Sequence, residues 1–162
     1  MKLSDVTLER DNYFVAMEYY GLILNRTYLM MVLEGHLIGL IANGLVSAKS
    51  HDALLDAIID PMTVKGDLHN KDSYLNDARL KALANINLLG DELTKSNRQN
   101  FRYKLEEISQ VWHDPKKKFG MADYPHDGRL YVVAQGKKRE FILLGNQSGS
   151  GIAARLQAQI AG

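Results

Sequence analysis

Apolar residues along this chain follow two rhythms. Residues 12–25 (NYFVAMEYYGLILN), 28–33 (YLMMVL) and 37–42 (LIGLIA) are short apolar runs rich in aromatic and β-branched side chains. Runs of this length bounded by turn residues predict strands, and Glu34-Gly35 between the last two predicts a hairpin. Phe14, Met17 and Tyr20 are also spaced as on a helix, so the first run has a helical alternative; strand is the reading taken. Asn25-Arg26-Thr27 is expected to break the first run from the second. These runs are apolar on both faces, which predicts strands covered on both sides or paired with another subunit.

After Asn43-Gly44 the spacing becomes helical. Leu54, Leu55, Ile58 and Ile59 predict a helix over residues 51–59, capped by Ser50 and stopped by Asp60-Pro61. Residues 72–85 predict a second helix with Leu75, Leu80 and Leu83 inward, and residues 90–100 read as a polar link. Alternation returns with Phe101, Tyr103 and Leu105. Glu106-Glu107 predicts a turn, and Ile108, Val111 and Trp112 the next strand. A long basic and aromatic loop follows over residues 116–127, then strands over 129–135 and 139–144 around a Gly136-Lys137-Lys138 turn. Residues 145–151 (GNQSGSG) lead into a helix with Ile152, Leu156 and Ile160 on one stripe and Ser148 or Ser150 as its N-cap.

The order is strands, a helical insertion at about residues 50–90, roughly four more strands and a closing helix. It predicts one α+β domain over residues 1–162. The strand at 108–111, the hairpin of 129–133 with 141–144, and the glycine-rich step into the helix at 152–156 resemble the pleckstrin-homology-like (PH-like) superfold, in particular its bacterial versions. The resemblance implies an antiparallel β-barrel or sandwich closed by a C-terminal amphipathic helix. It also implies a binding or scaffolding module rather than an enzyme. The helical insertion departs from that pattern.

Composition narrows the chemistry. There is no cysteine, which removes disulfides, thiolate nucleophiles and Cys-based metal sites, and fits a cytoplasmic location. The first residues, MKLSDVTLERD, lack the apolar core of a signal peptide, and Glu34, His36 and Asn43 interrupt the most apolar stretch, so no membrane span is expected. The net charge is +1, yet residues 1–97 carry 9 Lys and Arg against 13 Asp and Glu, while residues 98–162 carry 11 against 6. Any anionic ligand is therefore expected at the C-terminal part.

Four features there are candidates. Lys116, Lys117 and Lys118 share the long loop, and Lys137, Lys138 and Arg139 the hairpin turn. In a PH-like module, loop lysines at an open barrel end bind phosphorylated headgroups or other anions. Turn lysines also simply keep strand edges from aggregating, and the two triplets can fall at opposite ends of the sheet. The GNQSGSG step offers close backbone approach and a helix N-terminus, but it lacks the lysine of a Walker loop and the spacing of a dinucleotide fingerprint. His113, Asp123 and His126 flank one loop and give the single place for a metal-dependent enzyme; their spacing matches no zinc or hydrolase motif, and His36 and His69 look unrelated. Trp112, Phe119, Tyr124 and Tyr131 interleave with lysines as nucleobase-stacking residues do, although such rings more often pin a loop to the core.

The sequence thus predicts a non-enzymatic binding or self-assembly module without a cofactor. Its expected partner is another protein or a second copy of the chain, with anionic lipid or a small anion as the alternative and nucleic acid not expected. The residues proposed to meet that partner are Lys116, Lys117, Lys118, Trp112, Tyr124, His126, Lys137, Lys138 and Arg139.

Overall fold

The computed structural model describes residues 1–20, 24–44, 46, 64–121 and 124–162. Seven strands form one antiparallel sheet: β1 (Tyr13–Tyr19), β2 (Asn25–Leu33), β3 (His36–Asn43), β4 (Phe101–Lys104), β5 (Ile108–Asp114), β6 (His126–Ala134) and β7 (Lys137–Leu144). Their order is β4-β3-β2-β1-β7-β6-β5. The two edges, β4 and β5, are consecutive in the chain and joined only by the 3-10 turn Leu105–Glu107. Seven strands about 4.8 Å apart would hold the edges of a flat sheet roughly 29 Å apart. The four peptide steps from Lys104 to Ile108 span about 14 Å at most. The sheet must therefore curl, and it forms a half-barrel. Leu105 N–H donates to Gly35 O (2.9 Å) and Gln135 N–H to Glu107 O, which brings both hairpin turns to the closing corner.

The inner core holds Phe14, Ala16, Tyr28, Met30, Phe101, Leu130, Val132, Phe141 and Leu143. The C-terminal helix α3 (Gly149–Ala161) covers it with Ile152, Ala153 and Leu156, one stripe at helical spacing. Ser148 is its cap, accepting from Gly151 N–H. The outer face is covered as well. Leu29, Met31, Ile38 and Leu40 meet Ile86, Leu88 and Leu93, while Val15, Met17, Ile142 and Leu144 meet Tyr74, Met121 and Tyr124. The two-faced apolar strands are thus buried within a single chain, and their apolar faces do not call for a second copy.

Between β3 and β4 the chain forms a 3-10 turn (Lys71–Tyr74), α1 (Asp77–Ala82) and α2 (Glu92–Ser96). The helix expected over residues 51–59 lies outside the described residues. The single helix expected over 72–85 is instead broken at Leu75. There Asn76 takes Arg79 N–H and starts a new helix, because a side-chain acceptor competes with helix continuation. Leu75, Leu80 and Leu83 do face inward. The polar link contains α2, anchored by one buried Leu93 and by Asn100, whose amide joins Ile41 N–H to Leu93 O.

Two further boundaries move. The break between β1 and β2 lies before Asn25, not at 25–27, because the Asn25 amide pairs with both backbone groups of Val46 and holds it in the sheet. The β6–β7 turn is Gln135-Gly136, both at positive φ (50° and 74°), so Lys137, Lys138 and Arg139 already belong to β7. Glu106-Glu107, expected to turn, lies in the 3-10 turn that joins β4 to β5.

Candidate functional site

Strand alternation splits the basic triplet of β7. Lys138 and Glu140 stand on the outer face beside Tyr131, with Lys138 Nζ 5.4 Å from the Tyr131 ring centroid and Tyr131 O–H donating to Glu140 (2.9 Å). Arg139 turns inward. Its Nε donates to Glu18 Oε1 (2.9 Å), Nη2 to Glu18 Oε2 (2.6 Å), and the guanidinium lies 3.9 Å from the Phe101 ring centroid. Arg26 Nε donates to the same carboxylate (2.9 Å), as does Tyr28 O–H (3.3 Å). Burial alone would raise the Glu18 carboxyl, but Arg139 and Arg26 outweigh it and hold it below the ordinary range. Burial pushes the Tyr28 hydroxyl up to about 12. Arg139 is thus held in an internal ion cluster centred on Glu18 and is not available to an external anion.

The loop between β5 and β6 does not stand out from the sheet. It folds back across the outer face, with Met121 and Tyr124 buried among Val15, Met17, Ile142 and Leu144. Several contacts fix it. His126 Nδ1–H donates to Tyr124 O (3.0 Å) and its Nε2 accepts from Lys118 N–H (3.0 Å), a pattern that requires the neutral ring. Lys118 Nζ pairs with Glu140, and Tyr19 O–H donates to Gly120 O (3.2 Å). Burial pushes Tyr124 up to about 12. The loop therefore brings the two lysine groups together: Lys118 meets Glu140, two residues from Lys138 on one face.

What these anchors leave free is the tip. Lys116 and Lys117 are exposed, and Phe119 is 98% exposed. Tyr20 and Leu24, between β1 and β2, are also exposed, and the neighbouring Tyr19 donates to Gly120 O. Trp112 is not part of the tip. It lies half-buried on β5, stacked on Tyr131 at 4.8 Å.

Beside the tip is a polar cleft of about 600 Å³ lined by His69, Lys117, His126, Asp127, Asn146 and Ser148. It joins the loop and the GNQSGSG step, read separately in the sequence, and adds His69, which lies 57 residues before His126 and carries no motif. The glycine-rich step is itself largely structural. Gln147 extends the β1 ladder by accepting from Val15 N–H (3.0 Å) and donating to Val15 O (2.7 Å). Asp127 accepts from Gly149 N–H (2.6 Å). His113 Nε2 is bound to Asp127 O (2.7 Å), and Asp123 lies outside the described residues. Among the described residues no three His, Asp or Glu side chains stand together as a metal would need. Nor is any helix among them long and apolar enough to cross a membrane.

Compared with models of known families, with curated proteins and with solved structures, the chain matches none. Any functional reading rests on the geometry alone.

The sequence carried no sign of the Glu18–Arg26–Arg139 cluster, whose members are 8, 113 and 121 residues apart. Nor could it separate Phe119 from Tyr124. Both are aromatic residues of one polar loop, yet one is exposed and the other buried.

Proposed function

We propose a cytoplasmic, non-enzymatic binding module of the PH-like type that docks on an anionic lipid surface through the tip at residues 116–120. The exposure of Phe119 carries this reading. A phenyl ring held almost wholly in water, next to Lys116 and Lys117 on an anchored loop, has no packing role within the chain. The strand order and the closing helix support the PH-like part.

The energetics fit a weak, reversible contact. Removing a phenyl ring from water stabilises by about 2 kcal/mol. Each lysine beside an anionic leaflet adds about 1 kcal/mol. A protein partner fits less well, because a stable interface covers about 800 Å² on each side. Among the described residues the large exposed apolar side chains are Met1, Leu8, Tyr20, Leu24 and Phe119, and only Phe119 belongs to the tip. No metal-dependent or covalent step is part of this reading: both imidazoles of the loop are engaged with backbone groups.

Co-sedimentation with vesicles tests it. Binding is expected to phosphatidylcholine vesicles containing phosphatidylserine, weakened by salt, and much less to phosphatidylcholine alone. Phe119→Ser should weaken it roughly tenfold or more. Lys116→Gln with Lys117→Gln should flatten the salt dependence. Equal binding by wild type and Phe119→Ser, or indifference to phosphatidylserine, overturns the proposal.

A further inference from the structure

On the other side of Asn146 and Ser148 from the His126 cleft lies a smaller, more enclosed cavity of about 100 Å³. Three cationic side chains from three separate segments line it: Arg10 ahead of β1, Lys71 in the 3-10 turn and Arg155 in α3. Tyr13 and Ser148 add hydroxyls. Nothing in the reading of the tip uses these residues.

The charges here are not balanced. Lys71 Nζ is bound to Tyr13 OH and lies 3.1 Å from Asp72. Arg155 Nη1 stands 3.8 Å from Asp11, beyond hydrogen-bond distance, and that carboxylate is 82% exposed. Arg10 has no carboxylate within 4.0 Å among the described residues. The first turn of α3 contains no acidic residue, and Arg155 leans back over it, where a cation is disfavoured by the helix dipole. The helix terminus is not what makes the site, since Asp127 already takes Gly149 N–H and Ser148 takes Gly151 N–H. What remains is a concave surface with three cations, one of them a hydroxyl-bound ammonium, and two nearby carboxylates, one of them loosely held.

We propose that this cavity binds the phosphoryl group of a phosphate monoester. Arg10 and Arg155 clamp its oxygens in the bidentate manner guanidinium groups favour, and Lys71 neutralises charge from the floor. The volume admits one tetrahedral oxyanion, so the organic part of the ligand projects outward. A dianion fits better than a monoanion because it meets all three cations and displaces the weak Arg155–Asp11 contact.

The experiment is an NMR titration of the ¹⁵N-labelled full chain, following backbone amides and arginine Nε–H signals. Glycerol 3-phosphate is expected to shift the Arg155 Nε–H and the amides of residues 148–152 along a saturable curve. Inorganic phosphate should do so if the phosphoryl group alone suffices. Shifts with the ester but not with inorganic phosphate would place part of the recognition outside the cavity. Arg155→Gln and Arg10→Gln should each weaken binding about tenfold, while Asp11→Asn should tighten it by releasing Arg155. That opposite sign distinguishes a binding role from a structural one, and thermal melts verify that the variants are folded. The absence of saturable shifts at these residues, or an Arg155→Gln variant that titrates like wild type, overturns the site. Phe119→Ser should leave this titration unchanged, so the two proposals fail separately.

Discussion

Among the described residues Glu18 is the one carboxylate that meets two guanidinium groups, Arg26 and Arg139, on the inner face of the sheet. An ion cluster taken out of water is tolerated because each charge is matched and hydrogen-bonded. Removing one member leaves the rest unmatched. Glu18→Ala should therefore destabilise by about 3 kcal/mol in urea denaturation. The pH dependence follows from the same contacts. Burial tends to raise Glu18 and Glu140, but the hydrogen bonds and charges of Arg139 and Arg26 on one, and of Lys118 and Tyr131 on the other, bring both below the ordinary carboxylate range. A carboxyl lowered by folding is protonated first in the unfolded chain. Its stabilising effect is full above the ordinary carboxylate pKa and disappears as pH falls through the lower folded value. Stability measured from neutral pH downward should fall less steeply in a Glu18→Gln, Glu140→Gln double variant than in wild type. Parallel slopes would refute this assignment.

At the scale of the element, the passage from β7 to α3 is tightly constrained. Gly145 sits at φ 67°, and a Cβ there would come within 2.6 Å of His69 O, a backbone atom with little freedom to move. Gly136, in the β6–β7 turn, has φ 74° but open space around it. Gly136→Ala should therefore cost about 1 kcal/mol, the left-handed backbone penalty alone. Gly145→Ala should cost about 2 kcal/mol more, because the chain must also shift. Calorimetric melting temperatures of the two variants test the order. The reverse order would mean that the His69 segment yields easily. Because Asn146 N–H donates to His69 O, the Gly145 change should also disturb the cleft that His69 lines.

Over the whole molecule, the segments before β1 and between β3 and β4 act as an outer layer. They cover the apolar outside of β2 and β3 with Leu3, Ile86, Leu88 and Leu93. With both faces covered, the purified chain should scatter light as a monomer at micromolar concentration. A stable dimer would show that some other surface associates, the tip around Phe119 first among them. The covering also explains why the strands read as two-faced: the sheet is the middle layer of three over β2 and β3. By contrast β6 alternates buried and half-buried positions, because its outer side carries the polar residues Arg129 and Tyr131 beside Glu140.

The order of strands in the sheet was not legible in the sequence, but their succession along the chain, the closing helix and its serine cap were. Each depends on spacing within a few residues, the range over which apolar periodicity and capping chemistry act. The helix α1 was legible only as part of a longer helix over 72–85, and α2 was not, because five residues with one buried side chain make no periodic signal. The candidate site was legible only in part. The sequence marked the loop at residues 116–127 and the glycine-rich step, but not that they share a cleft with His69. It grouped Arg139 with Lys137 and Lys138, although strand pleating sends Arg139 inward to Glu18. Which lysines and aromatics stay in water was decided by how the loop folds across the outer face. That depends on contacts between residues far apart in the chain, such as Tyr19 with Gly120 and Lys118 with Glu140, which only the curled sheet brings together.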